Sequence, residues 1–286
     1  MQFQNPTADL FVPDDTALPQ AIERTTHLGV GAHQDDLEFM AYHGIETCFQ
    51  HPDLWFMGVT CTNGAGSSRA GIYSDYTDEQ MRAVRRIEQR KAATIGQYAA
   101  MAQLDYSSSA VKDPANPNLK NDLLKILHSA KPKVVYTHNL ADKHDTHVAV
   151  AWATIRALRE LPAAMRPRQV VGCEIWRDLD WLPDDRKVVL DVSRRENLAA
   201  ALSGVYDSQI TGGKRYDLAV MGRRRGHATF FESHAVDQAQ SLTFAMDLTP
   251  LVQDPSRDAV GYVLELIHAF QQDVVKKLEA RIGVRS

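Results

Sequence analysis

The sequence predicts an α/β protein: a Rossmann-like, mostly parallel sheet covered by helices on both faces, with a C-terminal helical extension. Two observations carry this expectation. Short apolar, strand-like runs alternate with longer helix-like stretches, the pattern of a parallel sheet built through helical crossovers. Clusters of polar side chains also follow directly after two of those runs, where open α/β sheets place their sites.

The strand-like runs lie at His27 to Gly31, Leu54 to Thr60 and Lys133 to Thr137, followed by Val170 to Trp176 and Lys187 to Val192. Between the second and third, Thr77-Asp78-Glu79 opens a long helix expected to run to about Met101. Thr77 suits an N-cap, and two acids in the first turn suit the helix dipole. Asn118 to Ser129 and Thr146 to Glu160 read as further helices. The last helix, Arg257 to Arg281, carries Val260, Val263, Leu264, Leu266, Ile267, Phe270, Val274 and Leu278. A stripe of that kind packs against a core or another copy of the chain rather than forming a site. There is no internal repeat and no low-complexity tract.

Composition narrows the classes. The 286 residues can bury a large core, and the net charge is -4 with only short basic runs. A nucleic-acid groove would want a sustained basic surface, so no nucleic-acid partner is expected. Cys48, Cys61 and Cys173 lie far apart without a Cys-x-x-Cys, against a disulfide framework or a thiolate metal site and in keeping with a reducing compartment. The polar, acidic first thirty residues do not read as a signal peptide, and no apolar run approaches a membrane span. A cytoplasmic location is expected.

Gly31-Ala32-His33-Gln34-Asp35-Asp36-Leu37-Glu38 crowds an imidazole and two adjacent carboxylates just after the first run. Buried carboxylates this close repel unless a cation or a shared proton neutralises them, and a divalent metal is the simplest neutraliser. A second cluster, Thr137-His138-Asn139-Leu140-Ala141-Asp142-Lys143-His144-Asp145-Thr146-His147, follows the Val134-Val135-Tyr136 run. Zinc accepts imidazole nitrogen and carboxylate oxygen, and a catalytic site keeps three protein ligands and one open position. One His and one Asp from the first cluster with one His from the second would fill that requirement.

These motifs resemble those of the PIG-L/LmbE family of zinc-dependent N-deacetylases. Ala32-His33-Gln34-Asp35-Asp36-Leu37-Glu38 is similar to the family's Ala-His-Pro-Asp-Asp-x-Glu, with Gln34 in place of Pro. Asp142 to His147 is similar to the second motif in its two histidines and the preceding Asp, with Asp145 where Pro is usual and Thr146 where Asp is usual. Thr62 to Gly66, Arg85-x-x-Glu88 and Ser208-Gln209 add weaker matches. The resemblance implies a single α/β hydrolase-type metalloenzyme domain, with a catalytic core at about residues 26–232 and a C-terminal extension at about 233–286.

The resemblance assigns His33, Asp36 and His147 as ligands of zinc or another divalent metal, and Asp35 as general base. His144 corresponds to the family histidine that assists the oxyanion or the leaving amine, and either Asp142 or Asp145 could replace the carboxylate missing at Thr146. Arg85 and Asp113 are the implied substrate-binding residues, although Arg85 and Glu88 could equally form an i,i+3 pair. Glu38 reads as structural, a partner for a backbone amide at a helix start. Asn63-Gly64-Ala65-Gly66 suits a pocket lining, and no Lys-Ser/Thr follows it to make a phosphate loop. Gly222-Arg223-Arg224-Arg225-Gly226-His227 reads as a solvated surface loop near the pocket rim.

The expected activity is hydrolysis of an acyl group, acetyl by resemblance, from the amide nitrogen of an N-acetylglucosamine-type sugar or conjugate. Two rivals stand beside it. One is an amidase with the same metal site acting on a thiol-sugar conjugate or a non-sugar amide, suggested by the aromatic and charged segment Glu174 to Trp181. The other is a binding protein that keeps the fold without the chemistry. The expected partner is a small molecule, with a homo-oligomer open.

Overall fold

The segment His27–Gly31 is buried along its whole length, as a central strand with parallel neighbours on both sides must be. The computed structural model describes residues 1–232 and 234–283, so residues 233 and 284–286 of the expected extension lie outside the described residues. The strands are β1 (Asp9–Phe11), β2 (His27–Gly31), β3 (Phe56–Thr62), β4 (Ala100–Tyr106), β5 (Val134–His138), β6 (Gln169–Cys173), β7 (Lys187–Asp191) and β8 (Leu242–Asp247). They form one sheet in the order β1-β4-β3-β2-β5-β6-β8-β7. Neighbours from β4 through β6 are parallel, while β1 lies antiparallel on β4 and β8 lies antiparallel between β6 and β7.

The helices are α1 (Leu18–Glu23), α2 (Asp36–Met40), α3 (Tyr42–Cys48), α4 (Asp78–Ile95), α5 (Ser108–Lys112) and α6 (Asn118–Ala130) in the first half. The second half holds α7 (Asp145–Glu160), α8 (Glu196–Ser203), α9 (Asp207–Ile210), α10 (Tyr216–His227), α11 (Thr249–Gln253) and α12 (Ala259–Ile282). Two apolar layers cover the sheet. Leu123 and Ile126 of α6, Val150 and Ile155 of α7 and Leu251 of α11 pack with Leu28, Val30 and Val135 in one. Leu37 of α2, Ile45 of α3, Ala92 of α4 and Leu198 of α8 pack with Phe56 and Tyr136 in the other. The sheet is thus mostly parallel with helices on both faces. No helix among the described residues is long and apolar enough to cross a membrane. The three cysteines are free and buried.

Thr77 caps α4 with a reciprocal pair of bonds: its side chain accepts from the Gln80 amide, and the Gln80 side chain accepts from the Thr77 amide. That helix does not run to Met101. It stops at Ile95, Gln97 takes a positive φ of 53°, and Ala100–Tyr106 forms a strand. The Ala-rich run favours helix by propensity, but a strand buried on both faces needs no alternation to announce itself.

The arginine run is likewise not a surface loop. It lies in α10, and Arg224 is fully buried over the Tyr42 ring. Its Nη2 donates to the carbonyls of Glu38 (3.0 Å) and Phe39 (2.8 Å). Those carbonyls belong to the last turn of α2, which has no intrahelical donors for them. Arg225 pairs with Glu196 and Arg223 with Asp178, so all three arginines have structural partners. Burial pulls the Arg224 guanidinium down to about 10, which leaves it charged at neutral pH.

Replacing Arg224 with leucine strands two buried carbonyls. The expected loss is about 2–4 kcal/mol of stability, read from the urea midpoint; an unchanged midpoint would mean water already reaches the end of α2.

Candidate active site

Strands β2 and β5 lie side by side, with the sheet continuing to β3 on one side and to β6 on the other. This is a topological switch point, and the chain leaves both strands at their carboxyl ends into the two polar clusters. After β2, Asp35 adopts φ 102° and ψ -30°. A non-glycine residue there costs about 1–3 kcal/mol and persists only where its surroundings hold it. The turn sends the two adjacent carboxylates apart: Asp36 toward β5 and α7, Asp35 toward α4. Gly31 permits the close approach, since a Cβ there would lie 3.0 Å from that of Asp36.

Three donor atoms converge. His33 Nδ1 lies 3.3 Å from Asp36 Oδ2 and 3.3 Å from His147 Nε2, and the last two are 3.6 Å apart. Donors bound to one tetrahedral ion at zinc–nitrogen and zinc–oxygen distances lie about 3.3 Å from each other. These three residues are the only such group among the described residues. The backbone amide of His33 also donates to Asp36 Oδ2 at 2.7 Å. Burial raises the pKa of the Asp36 carboxyl, but His147 and His138 outweigh it and hold the group well below the usual range.

Asp142 stands behind His147. Its Oδ1 lies 3.6 Å from His147 Nδ1 and accepts the His144 amide at 2.9 Å, while Oδ2 accepts the Trp176 amide at 3.2 Å. Burial pushes this carboxyl up, yet His147 and the His144 amide bring it to about 2. An anion in this position turns His147 Nε2 toward the donor triangle.

The sequence did not single out His138, which is fully buried and stacks on His147 at 3.9 Å between centroids. Its Nε2 accepts the Ala32 amide at 2.9 Å and lies 3.3 Å from Asp36 Oδ2. It braces the loop carrying His33 and Asp36. Its place at the end of a strand was the available signal, but only tertiary packing shows its contacts.

Asp35 is buried with its Oδ2 3.4 Å from Arg85. Burial pushes its carboxyl well above the usual range; Arg85 opposes this and the Asp36 charge adds to it. Arg85 lines the pocket with its guanidinium donating to the Gln34 carbonyl and to Ser208. Glu88 does not pair with Arg85 but accepts from the Ser208 amide (2.7 Å) and hydroxyl (2.6 Å). Glu38 bonds side chains rather than a helix-start amide: Tyr98 and Tyr206 donate at 2.6 Å and Gln89 at 2.9 Å.

His144 is the N-cap of α7, its Nδ1 accepting the Thr146 amide at 3.3 Å. This leaves the proton of the neutral ring on Nε2. Desolvation and the nearby His33 lower its pKa. Neither Asp142 nor Asp145 is bonded to the His144 ring, and the Asp142 carboxylate faces His147 instead.

The donor atoms open into a cavity of about 400 Å³, walled in part by Trp176, Tyr216, Lys214 and Gln209 and by Gly64 and Gly66. Trp176 and Tyr216 meet edge to face at 4.5 Å. A larger apolar groove of about 840 Å³ lies alongside, sharing Lys112 with the smaller cavity. The groove has no imidazole in its wall, whereas the donor cluster faces the smaller cavity. Asp113 lines the groove, exposed, with its Oδ1 accepting the Ala115 amide at 3.0 Å.

Residues 28–158 match the family described as PIG-L: GlcNAc-PI de-N-acetylase. No curated protein matches the sequence. Among solved structures, GalB, the 4-carboxy-2-hydroxymuconate hydratase of Pseudomonas putida, aligns with TM-score 0.62 at 18% identity, over 78% of this chain and 95% of its own. A conserved protein of Thermus thermophilus aligns with TM-score 0.59 at 18% identity, over 82% and 99%. The N,N'-diacetylchitobiose deacetylase of Pyrococcus horikoshii, complexed with an inhibitor, aligns with TM-score 0.57 at 16% identity, over 77% and 83%. At these identities the likeness establishes the fold.

Substituting Asp142 with alanine leaves the three donors in place but frees His147 Nδ1. Affinity for a divalent ion is expected to fall by about 10–100-fold. Competition with a chromophoric chelator measures this, and an unchanged affinity would remove Asp142 from the site.

Proposed function

We propose that this chain, which belongs to the PIG-L family through residues 28–158, is a divalent-metal-dependent N-deacetylase acting on N-acetylglucosamine-type sugars or their conjugates. The observation that carries the reading is the spacing of His33 Nδ1, Asp36 Oδ2 and His147 Nε2, 3.3–3.6 Å apart. Two imidazoles and one carboxylate suit zinc and leave a fourth position open. When bound there, zinc would polarise the amide carbonyl and lower the pKa of a coordinated water.

The chain's own residues supply the rest. Asp35 takes a proton from the attacking water, and Arg85 and the strained turn hold it beside the donor triangle rather than in it. His144 directs Nε2–H into the cavity, a donor for the amide oxygen as charge develops on it. The proton taken by Asp35 returns to the leaving nitrogen, so the base of the first step is the acid of the second. Trp176 and Tyr216 offer an aromatic wall that suits the apolar face of a sugar ring.

The family description points to the acetamido sugar. The hydratase of Pseudomonas putida has the same fold, and folds do not by themselves fix a reaction. The deciding assay is acetate release from a panel of N-acetylated sugars and non-sugar amides. Release from acetamido sugars is expected, and an enzyme active only on non-sugar amides would overturn the sugar assignment.

His33→Ala, Asp36→Ala and His147→Ala are each expected to lose most bound metal by elemental analysis. Full occupancy in His147→Ala would detach the second cluster from the centre. Asp35→Asn should keep metal and fold while kcat falls by about a hundredfold or more; near-normal turnover would make Asp35 a purely structural residue.

The pH profile gives a separate check. Asp35 acts unprotonated, and burial raises its pKa. The rate should therefore fall as pH drops through a value above the ordinary carboxylate range. That acid limb should vanish from the residual activity of Asp35→Asn, and its persistence would assign the limb to another group.

A further inference from the structure

Helix α12 is 24 residues long, about 36 Å at the rise of an α-helix. Only Tyr262 and Leu266, both in its first third, are buried. A helix with so little packing gains little from the fold, since helical stability in proteins comes mainly from a buried apolar face. Its outward face nevertheless is apolar. Val260 is 66% exposed, Leu264 44%, Ile267 40%, Leu278 54% and Ile282 66%, and Phe270, Val274 and Val275 are exposed at 37–39%. At those exposures the eight side chains present roughly 700 Å² of surface. That is close to the ~800 Å² one partner gives to a stable interface and above the ~300–600 Å² of an ordinary monomer's largest patch.

The arrangement of the stripe indicates what covers it. About Gln271 it reads alike in both directions: Ile267 and Val275 stand four residues away, Leu264 and Leu278 seven, Val260 and Ile282 eleven. Steps of four, three and four repeat every eleven residues, close to the period of a straight helix, so the stripe does not wind off its face. A twofold axis through Gln271 sets these six apolar residues against one another, with Phe270 and Val274 opposite Gln272 and His268 at its margin. Isologous interfaces demand that self-complementarity.

We infer that α12 is a dimerisation helix that packs antiparallel on α12 of a second copy of this chain, with the twofold axis at Gln271. Leu264 of each copy then meets Leu278 of the other, Ile267 meets Val275, and Val260 meets Ile282. The two Gln271 amides, each both donor and acceptor, pair across the axis. Antiparallel packing also opposes the two helix dipoles. Each outer half of α12, lacking a core of its own, rests on the anchored half of the other copy. Val260 and Leu264 line the apolar groove beside the active-site cavity, so the second copy's α12 also forms a side of that groove.

Light scattering coupled to size-exclusion chromatography of the full chain tests the inference. A dimer is expected at micromolar concentration, and Leu264→Glu/Leu278→Glu, which alters only exposed positions, should run as a monomer with unchanged circular dichroism. Oxidative cross-linking tests the orientation, since the three native cysteines are buried. Gln271→Cys should cross-link to the same position of the second copy, and Leu278→Cys alone should not cross-link, whereas Leu264→Cys/Leu278→Cys should. A monomeric wild type, with or without binding to lipid vesicles, would overturn the proposal. So would a dimer that survives the double glutamate substitution, or cross-linking at Leu278→Cys without cross-linking at Gln271→Cys.

Discussion

Four nitrogen atoms converge on one oxygen, Asp36 Oδ2: the His33 amide at 2.7 Å, His33 Nδ1 and His138 Nε2 at 3.3 Å, and His147 Nε2 at 3.6 Å. A carboxylate buried this deeply is tolerable only where positive or polarisable partners surround it. That requirement organises the molecule around it. The loop after β2 carries Asp36, and β5 and α7 bring His138 and His147 to it, with the turn at Asp35 between. The strain at Asp35 in turn separates two carboxylates that adjoin in sequence, and the proposed reaction uses one as a metal ligand and the other as the base.

The support for that loop comes from elements far away in sequence. Arg224 closes the end of α2, Glu38 ties α2 to Tyr98 and Tyr206, and Asp142 holds α7 and the Trp176 loop in register with His147. Glu38 and Asp142 have both carboxylate oxygens bonded, the condition under which buried polar groups stabilise rather than weaken a core, while Arg224 bonds through Nη2 and leaves its Nε without a partner. The likeness to solved structures covers about four-fifths of the chain and establishes the architecture. The proposed chemistry draws its support from the family match over residues 28–158 together with the donor geometry.

Much of this was legible in the sequence because the signals were local. β2 begins and ends where its apolar run does, α4 starts at its capping residue, and His33, Asp36 and His147 stand where two strand-to-loop transitions put them together. What escaped depended on tertiary burial. β4 is an Ala-rich segment whose propensity argues for helix until both its faces are seen covered. β1 has only three residues, and β8 enters the sheet from beyond residue 232. Arg224 belonged to a charge run that looked solvated; its partners are carbonyls nearly two hundred residues earlier. His138 stood in the second cluster with no role given to it, Trp176 in the aromatic segment Glu174 to Trp181, and Tyr216 in no motif, so their places at the site come only from the fold.

The central claim is that His33, Asp36 and His147 form one metal centre with a two-nitrogen, one-oxygen protein donor set. X-ray absorption at the zinc edge of the purified, zinc-loaded protein tests it most directly. The account predicts a first shell of nitrogen and oxygen at about 2.0–2.1 Å with the outer-ring scattering of two imidazoles. A sulfur shell near 2.3 Å, or an all-oxygen shell without imidazole scattering, would contradict it.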